Sequence, residues 1–161
     1  MHMSKGVEWA IHTLLNLSML GDDDPVGSAQ LAAGHGLPVA YLNKQLQLLV
    51  KAELLTSSPG PRGGFRLARD PDSITLLDVV LAIEGNESLF RCTEIRQCGK
   101  IAELHTGGND SAACAVKRAM YRADLAWREA LATQKLSDVR RELDMDDPAV
   151  TRTVRRVFGR E

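Results

Sequence analysis

Two short helical patterns followed by a hairpin pattern, between residues 28 and 69, constrain the fold of this chain more than any other feature. Residues 28–33 form a helical pattern that Ser28 can cap, and residues 34–36 interrupt it with two glycines. Pro38 suits the first turn of a second helix, which we predict to end near residue 51. Its inward side chains would be Leu42, Leu46, Leu49 and Val50, and its outward side chains Tyr41, Asn43, Lys44, Gln45 and Gln47. Two helices joined in this way predict a helix-turn-helix.

A pattern typical of a β-hairpin comes directly after the second helix. Residues 54–56 predict a strand, residues 57–64 a loop rich in Pro and Gly, and residues 65–67 a returning strand. A hairpin in this position is the wing of a winged helix-turn-helix. The sequence therefore predicts a mainly α fold with a small β-hairpin wing.

The segment 37–69 is basic, although the whole chain has a formal net charge of -1. It contains five Lys or Arg residues and a single Glu, which gives it a local charge of +4. Local positive charge is what neutralises DNA phosphates. We predict DNA contacts from Pro38, Val39, Ala40, Tyr41, Asn43, Lys44, Arg62, Gly63 and Gly64. The alternative is that Arg62 is a solvated turn residue and that the two glycines only serve the geometry of the turn.

A helical pattern over residues 7–20 precedes this motif, and the stretch 21–25 ends it with Gly, three Asp and Pro. Ser4 is placed to cap its start. Glu8 and His12 stand four residues apart, so they share one face of this helix. Such a pair is either a weakly favourable surface pair or a pair of metal ligands.

The rest of the chain contains three further helical patterns. Residues 74–83 predict an apolar helix that can close the core, and residues 115–134 give the longest helical pattern of the chain. The apolar stripe of that long helix must pack against either a second copy of the chain or the first helix. Residues 136–143 predict one more short helix, and the C-terminal stretch is either an amphipathic helix or a frayed tail. We divide the chain into a winged DNA-binding domain (1–86), a cysteine loop (87–114), a dimerisation helix region (115–143) and a C-terminal tail (144–161).

Composition argues against several other classes of protein. No apolar run approaches the ~20 residues that a membrane span needs, and the N-terminus lacks the layout of a signal peptide, so we expect a cytoplasmic protein with no membrane partner. Aromatic residues make up only 4% of the chain, which argues against a stacking platform for single-stranded nucleic acid. No nucleophile–base pair or phosphate loop is evident in the sequence, so we do not expect an enzyme.

All three cysteines, Cys92, Cys98 and Cys114, lie in the loop before the long helix. Five residues separate the first two and fifteen the last two, which matches neither zinc-ribbon pairs nor the usual ferredoxin runs. An odd number of thiols in a reducing compartment argues against structural disulfides. The spacing alone leaves metal ligands and unrelated thiols as open alternatives.

The order of these parts resembles the Rrf-type winged-helix iron-sulfur transcription regulators. The resemblance covers about residues 1–140 and rests on GVEWAIH, AQLAAGHGLPVAYLNKQLQLLVKAELL, PGPRGGFRLAR, SITLLDVVLAIEG and the cysteine loop that follows. It implies a homodimer that binds a near-palindromic operator in double-stranded DNA. It also implies an iron-sulfur cluster between the winged domain and the dimer helix.

After Cys98 the cysteine spacing departs from that of IscR- and NsrR-like members. The chain more closely resembles the RsrR subgroup, which has the same Glu and His in GVEWAxH and uses two cysteines. GVEWAxH matches at Glu8 and His12, CTEIRQ matches at Cys92, and the alanine-cysteine before xxRAM matches at Cys114. The resemblance implies that these four residues bind a 2Fe-2S cluster, with Glu8 and His12 from one subunit and the cysteines from the other. Imidazole in place of a thiolate reduces the negative charge at the iron and raises the reduction potential.

Two other uses of the cysteine loop remain open. A cluster held by Cys92, Cys98 and Cys114 would resemble an NsrR-like nitric-oxide sensor. A clusterless winged-helix regulator would use the same cysteines as a thiol switch. His105 is a competing nitrogen ligand that ranks behind His12.

Overall fold

Eight α-helices and one hairpin run through residues 3–21, 24–104 and 114–160, which are the residues that the computed structural model describes. The helices are α1 (Lys5–Leu20), α2 (Ser28–Gly34), α3 (Val39–Lys51), α4 (Leu76–Glu84), α5 (Gly99–Leu104), α6 (Ala115–Ala132), α7 (Leu136–Asp146) and α8 (Val150–Val157). Short 3-10 helices, Pro71–Ser73 and Ile95–Gln97, precede α4 and α5. The described residues form two compact units: residues 3–86 with 131–160, and the described part of 87–130.

Helix α1 forms the centre of the first unit. Residues 13–20 are all buried, polar ones included, as expected for a helix that the rest of the unit surrounds. The first half of α1 is different, because Glu8 and His12 are exposed there. The helix ends at Gly21, whose φ of +80° favours glycine. Ser4 stands at the N-cap without a side-chain capping bond, and its backbone N–H donates to Glu84 Oε1 at 2.9 Å.

The helix-turn-helix packs on this core. Its fully buried side chains are Leu31, Ala32, Leu42, Leu46 and Leu49. The prediction that Gln45 of α3 points outward is wrong, because its side chain is only 4% exposed. Its amide lies 3.0 Å from where a Cβ on Gly6 would stand, so the missing side chain of Gly6 leaves the space that Gln45 fills. A pattern of polarity along α3 cannot reveal a space on α1.

The wing is an antiparallel pair of β1 (Leu55–Ser58) and β2 (Gly64–Leu67), with Leu55 opposite Leu67. Leu55 and Phe65 are buried, so one face of the hairpin joins the core. Val26 adds a bridge to the outer side of β2 through two backbone hydrogen bonds with Phe65, each 2.9 Å long. These bonds fix the base of the wing to the segment that leads into α2.

Helices α4, α7 and α8 complete the first unit. Thr75 and Asp78 form a capping box at the start of α4, with Asp78 N–H donating to Thr75 Oγ1 at 3.1 Å and Thr75 N–H to Asp78 Oδ2 at 2.9 Å. The start of α7 pairs with the segment before α4, since Leu136 N–H donates to Ile74 O at 2.9 Å. Leu136 itself is fully buried. Residues 144–160, for which the sequence left two alternatives open, contain α8, and Phe158 packs against the core.

The second unit contains α5 and most of α6. The inner side of α6 carries Asp124, which is only 5% exposed and pairs with Arg128 Nε at 3.3 Å. Arg128 also donates to the backbone oxygen of Glu87 at 3.1 Å. A buried carboxylate with a guanidinium partner fixes α6 to the start of this unit. No described helix is both long and apolar enough to cross a bilayer.

Candidate functional site

The first turns of α3 present the predicted DNA contacts to solvent. Pro38, Val39, Ala40, Tyr41, Asn43 and Lys44 are all exposed. Tyr41 is held in place by an edge-on contact with Trp9 of α1, with ring centroids 5.0 Å apart. The opposite side of α3 is anchored through the buried leucines, so this end of the helix is a rigid exposed surface. Such a helix end suits insertion into the DNA major groove.

The turn of the wing carries the second group of predicted contacts. Arg62 is exposed at its tip, while Gly63 and Gly64 are half-buried. A Cβ on Gly63 would lie 2.1 Å from the carbonyl oxygen of Ser58, and a Cβ on Gly64 would lie 2.4 Å from Val26. The structure of the chain therefore requires glycine at both positions. Gly63 allows the turn to close, and Gly64 allows Val26 to approach. This is the turn-geometry alternative that the sequence left open for them.

Glu8 and His12 lie on one exposed face of α1. Asn16 lies one turn further along α1, where the helix is buried, and is hydrogen-bonded to His35 Nε2 at 2.8 Å. The His35 ring stands 5.5 Å from the His12 ring, centroid to centroid. Partial burial, and then the nearby His12, lower the pKa of His35 below its ordinary value. Two imidazoles therefore lie close together, His12 on α1 and His35 at the end of α2, and the sequence singled out only His12 as a ligand.

Glu94 acts on two of the three cysteines, one through a hydrogen bond and the other through its charge. The Cys92 thiol donates to Glu94 Oε1, 3.6 Å away. Cys114 precedes α6, where the backbone N–H groups of Lys117 and Val116 donate to its sulfur. These amides, helped by the charge of Arg96, lower the pKa of the Cys114 thiol, while the charge of Glu94 acts in the opposite direction. A thiol with a lowered pKa is a better thiolate ligand and a more reactive nucleophile.

The remaining candidates are not gathered at this place. Cys98 is exposed at the end of the 3-10 helix Ile95–Gln97. His105 lies outside the described residues. Among the described residues, no three His, Cys, Asp or Glu side chains are grouped to hold a metal ion.

Sequence reasoning missed Glu94, Arg96 and His35. The spacing of four between His12 and Asn16 could have signalled a longer polar face on α1. It could not have signalled His35, the hydrogen-bond partner of Asn16, because His35 stands at the end of α2. Glu94 has a left-handed backbone, with φ of 54°, which places its carboxylate beside Cys92. A local sequence pattern does not predict such a conformation for Glu.

The comparison with protein families gives a match over residues 3–142 to the Rrf2 model, which is described as an iron-dependent transcriptional regulator. The chain belongs to the Rrf2 family. This confirms the family that the motifs suggested and the prediction that the chain is a regulator and not an enzyme.

Curated relatives of this Rrf2-family chain include two named proteins. The chain is 34% identical to protein rrf2 of Nitratidesulfovibrio vulgaris over 61% of its own length and 65% of that protein. It is 32% identical to the transcriptional regulator IscR of Sodalis glossinidius over 59% of its length and 57% of that protein. The chain therefore spans less than two thirds of the length of each of these relatives.

Solved structures confirm the winged-helix fold. CymR, the global cysteine regulator of Bacillus subtilis, has a TM-score of 0.68 at 22% identity and covers 88% of this chain and 98% of CymR. IscR of T. potens has a TM-score of 0.66 at 20% identity and covers 91% of each chain. At these identities the likeness shows the shared fold.

Proposed function

We propose that the chain is a homodimeric transcription regulator that binds operator DNA and senses redox state through a 2Fe-2S cluster. One observation carries the DNA-binding part. The exposed start of α3 and the exposed Arg62 of the wing belong to the same basic segment and to the same compact unit. A rigid helix end enters the major groove, and an arginine on a wing enters the adjacent minor groove.

The proposed DNA surface is tested by selecting duplexes from a random-sequence library and measuring their affinity for variants. Lys44→Ala should weaken binding to all sequences and reduce the salt slope by about one, whereas Asn43→Ala should give sequence-dependent losses of roughly 1–3 kcal/mol. Lys51→Ala removes the same charge from the far end of α3 and is the matched control. Unchanged affinity in both Lys44→Ala and Arg62→Ala, with folding intact, would reject this surface.

The homodimer is proposed from the apolar side of α6. Val116, Met120 and Ala123 are exposed and repeat at intervals of four and three, so they form one stripe along the helix. Asp124 and Arg128 lie beside this stripe, on the adjoining side of α6, and pair with each other. A second copy of the same stripe is the simplest cover for it, since two-fold dimers are the commonest oligomers.

The cluster is proposed to be held by Glu8 and His12 of one chain and by Cys92 and Cys114 of the other. The exposure of Glu8 and His12 leaves both side chains available to a second chain. The amides at the start of α6 favour the thiolate form of Cys114, which is the form that binds iron. When bound, the cluster would supply one-electron redox chemistry, with a potential raised by the nitrogen ligand. The description of the matching family model as an iron-dependent transcriptional regulator supports an iron-containing cofactor.

The ligand set is tested by the visible absorption of protein isolated without oxygen. Cys92→Ala and Cys114→Ala should each abolish the spectrum, since each leaves an iron without a strong ligand. Cys98→Ala is the matched control and should retain it. An indispensable Cys98, together with neutral Glu8→Ala and His12→Ala, would instead indicate a cluster held by the three cysteines.

A thiol switch is the second candidate, because Cys92 donates to Glu94 and the charge of the same Glu94 acts on the Cys114 thiol. Disulfide formation would release two electrons and two protons to an oxidant such as hydrogen peroxide, which becomes two water molecules. A chain that binds no iron after anaerobic reconstitution, but forms a Cys92–Cys114 disulfide with peroxide, would favour this candidate. Loss of operator affinity on oxidation, reversed by a reductant, would then be its signature.

A further inference from the structure

Helix α8 carries a second basic segment, beyond the residues that the family model covers. The Rrf2 match ends at residue 142, and α8 begins at Val150. Residues 150–160 contain Arg152, Arg155, Arg156 and Arg160 and no acidic residue. Their local charge of +4 equals that of the helix-turn-helix and wing segment. This concentration of charge has no role in the core of the unit.

The chain fixes α8 in place through its apolar side. Val154 and Phe158 pack on the core of the first unit. The Phe158 ring lies over Gly34, where a Cβ would stand 3.0 Å from the ring carbon Cζ. Gly34 ends α2, so α8 packs against the helix-turn-helix itself. Arg152 and Arg155 are exposed, and by helical spacing Arg152 lies opposite Val154 and Arg155 on the flank of the helix.

The end of α8 lies next to the turn of the wing. A cavity of about 380 Å³ has the wing residues Pro61, Arg62 and Gly63 among its lining, together with Gln30 of α2, Phe158 and Arg160. Arg160 is held there by Asp24, whose backbone oxygen accepts a hydrogen bond from Nη2 at 2.8 Å and whose carboxylate lies 3.7 Å from Nη1. The segment that follows α8 therefore lies beside Arg62 of the wing. Asp24 neutralises part of the charge of Arg160 but is not paired with Arg152 or Arg155.

We propose that α8 is an accessory DNA-binding element, in which Arg152 and Arg155 contact the phosphate backbone of the duplex beside the wing. The inference rests on the proposed DNA-binding function and extends its surface. Guanidinium groups bind phosphate oxygens through charge-assisted hydrogen bonds, and such contacts carry no base specificity. Helix α8 adds affinity and salt dependence, while the start of α3 reads the sequence.

The position of the C-terminal segment beside the wing favours DNA over other acidic partners. An acidic protein would also suit arginines, but it would have to approach the surface that Arg62 and α3 present to DNA. A duplex bound by α3 and the wing already brings phosphates to this side of the unit. Charge complementarity and position therefore both favour a DNA duplex as the partner of α8.

The test measures the affinity of the full chain for a short mixed-sequence DNA duplex over a range of salt concentrations. We expect the double variant Arg152→Gln/Arg155→Gln to bind roughly tenfold or more weakly and to have a salt slope lower by about two. Lys135→Gln/Arg141→Gln removes the same charge from the residue before α7 and from α7 itself. Both side chains already pair with carboxylates, so this variant should change neither quantity. Unfolding curves of both variants check that α8 remains packed.

Three outcomes overturn the inference, and they separate it from the proposed function. If Arg152→Gln/Arg155→Gln keeps the wild-type affinity and salt slope while Lys44→Ala weakens binding, DNA binding stands and α8 has no part in it. If both double variants weaken binding equally, only net charge is acting. If the wild-type chain binds no duplex at all, the proposed function itself fails, and the role of α8 fails with it.

Discussion

The two units differ in how far they bury their apolar side chains. The first unit contains the helix-turn-helix, and the second contains most of α6. In the first unit, leucines from α1, α2, α3 and α7 cover one another within a single chain. In the second, the one buried α6 side chain is the carboxylate of Asp124, and Val116, Met120, Tyr121 and Leu125 are exposed. The first unit is complete by itself. The second has the composition of one half of an interface.

Breaking the proposed interface should have the largest effect. Ala123→Glu places a carboxylate in the middle of the apolar stripe, and burying it unpaired would cost several kcal/mol, so we expect monomers at concentrations where the wild type is a dimer. Sedimentation measures the change. Arg122→Glu also introduces a carboxylate on α6, but away from the stripe, and should leave the dimer intact. A stable Ala123→Glu dimer would show that α6 is not the contact.

A substitution in the core of the first unit should act through folding instead of association. Leu46→Ala leaves a cavity under α3, and we expect a loss of about 2–5 kcal/mol in the free energy of unfolding. Chemical denaturation at several protein concentrations distinguishes the two regions. The Leu46→Ala loss should be the same at all of them, whereas unfolding of the second unit should depend on concentration. A concentration-dependent Leu46→Ala loss would contradict the self-sufficiency of the first unit.

A smaller effect is expected from the charge beside Cys114. Arg96 lowers the pKa of the Cys114 thiol, so Arg96→Gln should raise it and slow alkylation at neutral pH by less than about tenfold. The rate is measured in cluster-free protein with Cys92 and Cys98 replaced by Ser, so that only one thiol reacts. Arg91→Gln is the matched control, because Arg91 pairs with Glu87. Equal alkylation rates in the two variants would show that Arg96 does not affect the Cys114 thiol.

The smallest effect concerns His35 in the first unit. Its pKa in the folded cluster-free chain lies below the ordinary 6.5, so the unfolded chain binds the proton more readily. The contribution of this histidine to stability is therefore fully present above 6.5 and is lost as the pH falls through that value and below it. Nuclear magnetic resonance should show the His35 titration move upward in His12→Gln, which removes the repelling imidazole. A titration unaffected by this change would leave burial as the sole cause.

Local sequence patterns were sufficient to predict the elements whose residues follow a regular spacing or a turn signal. The spacing of Leu42, Leu46 and Leu49 predicts the buried side of α3, and the Pro/Gly loop predicts the wing. They failed where one segment fills a space left by another. The burial of Gln45 depends on Gly6, and the anchoring of the wing depends on Val26, neither of which is near its partner in the sequence.

The candidate site divides in the same way. The exposure of Lys44 and Arg62 follows from the sequence, because each lies on the polar side of its element or in a turn. The environment of the thiols does not follow from it. Glu94 approaches Cys92 through an unusual backbone conformation, and Cys114 gains its amide donors only because α6 starts directly after it.

We propose that each cluster takes Glu8 and His12 from one chain and Cys92 and Cys114 from the other, and a mixed dimer tests this ligand set most directly. One chain carries Glu8→Ala/His12→Ala and the other Cys92→Ala/Cys114→Ala, with different affinity tags, and dimers containing both are isolated without oxygen. Each double variant alone should be colourless. The mixed dimer has one complete ligand set and should regain about half of the wild-type visible absorption and iron content, since a two-fold dimer has two equivalent sites. A colourless mixed dimer, from chains that associate normally, would contradict ligation across the dimer.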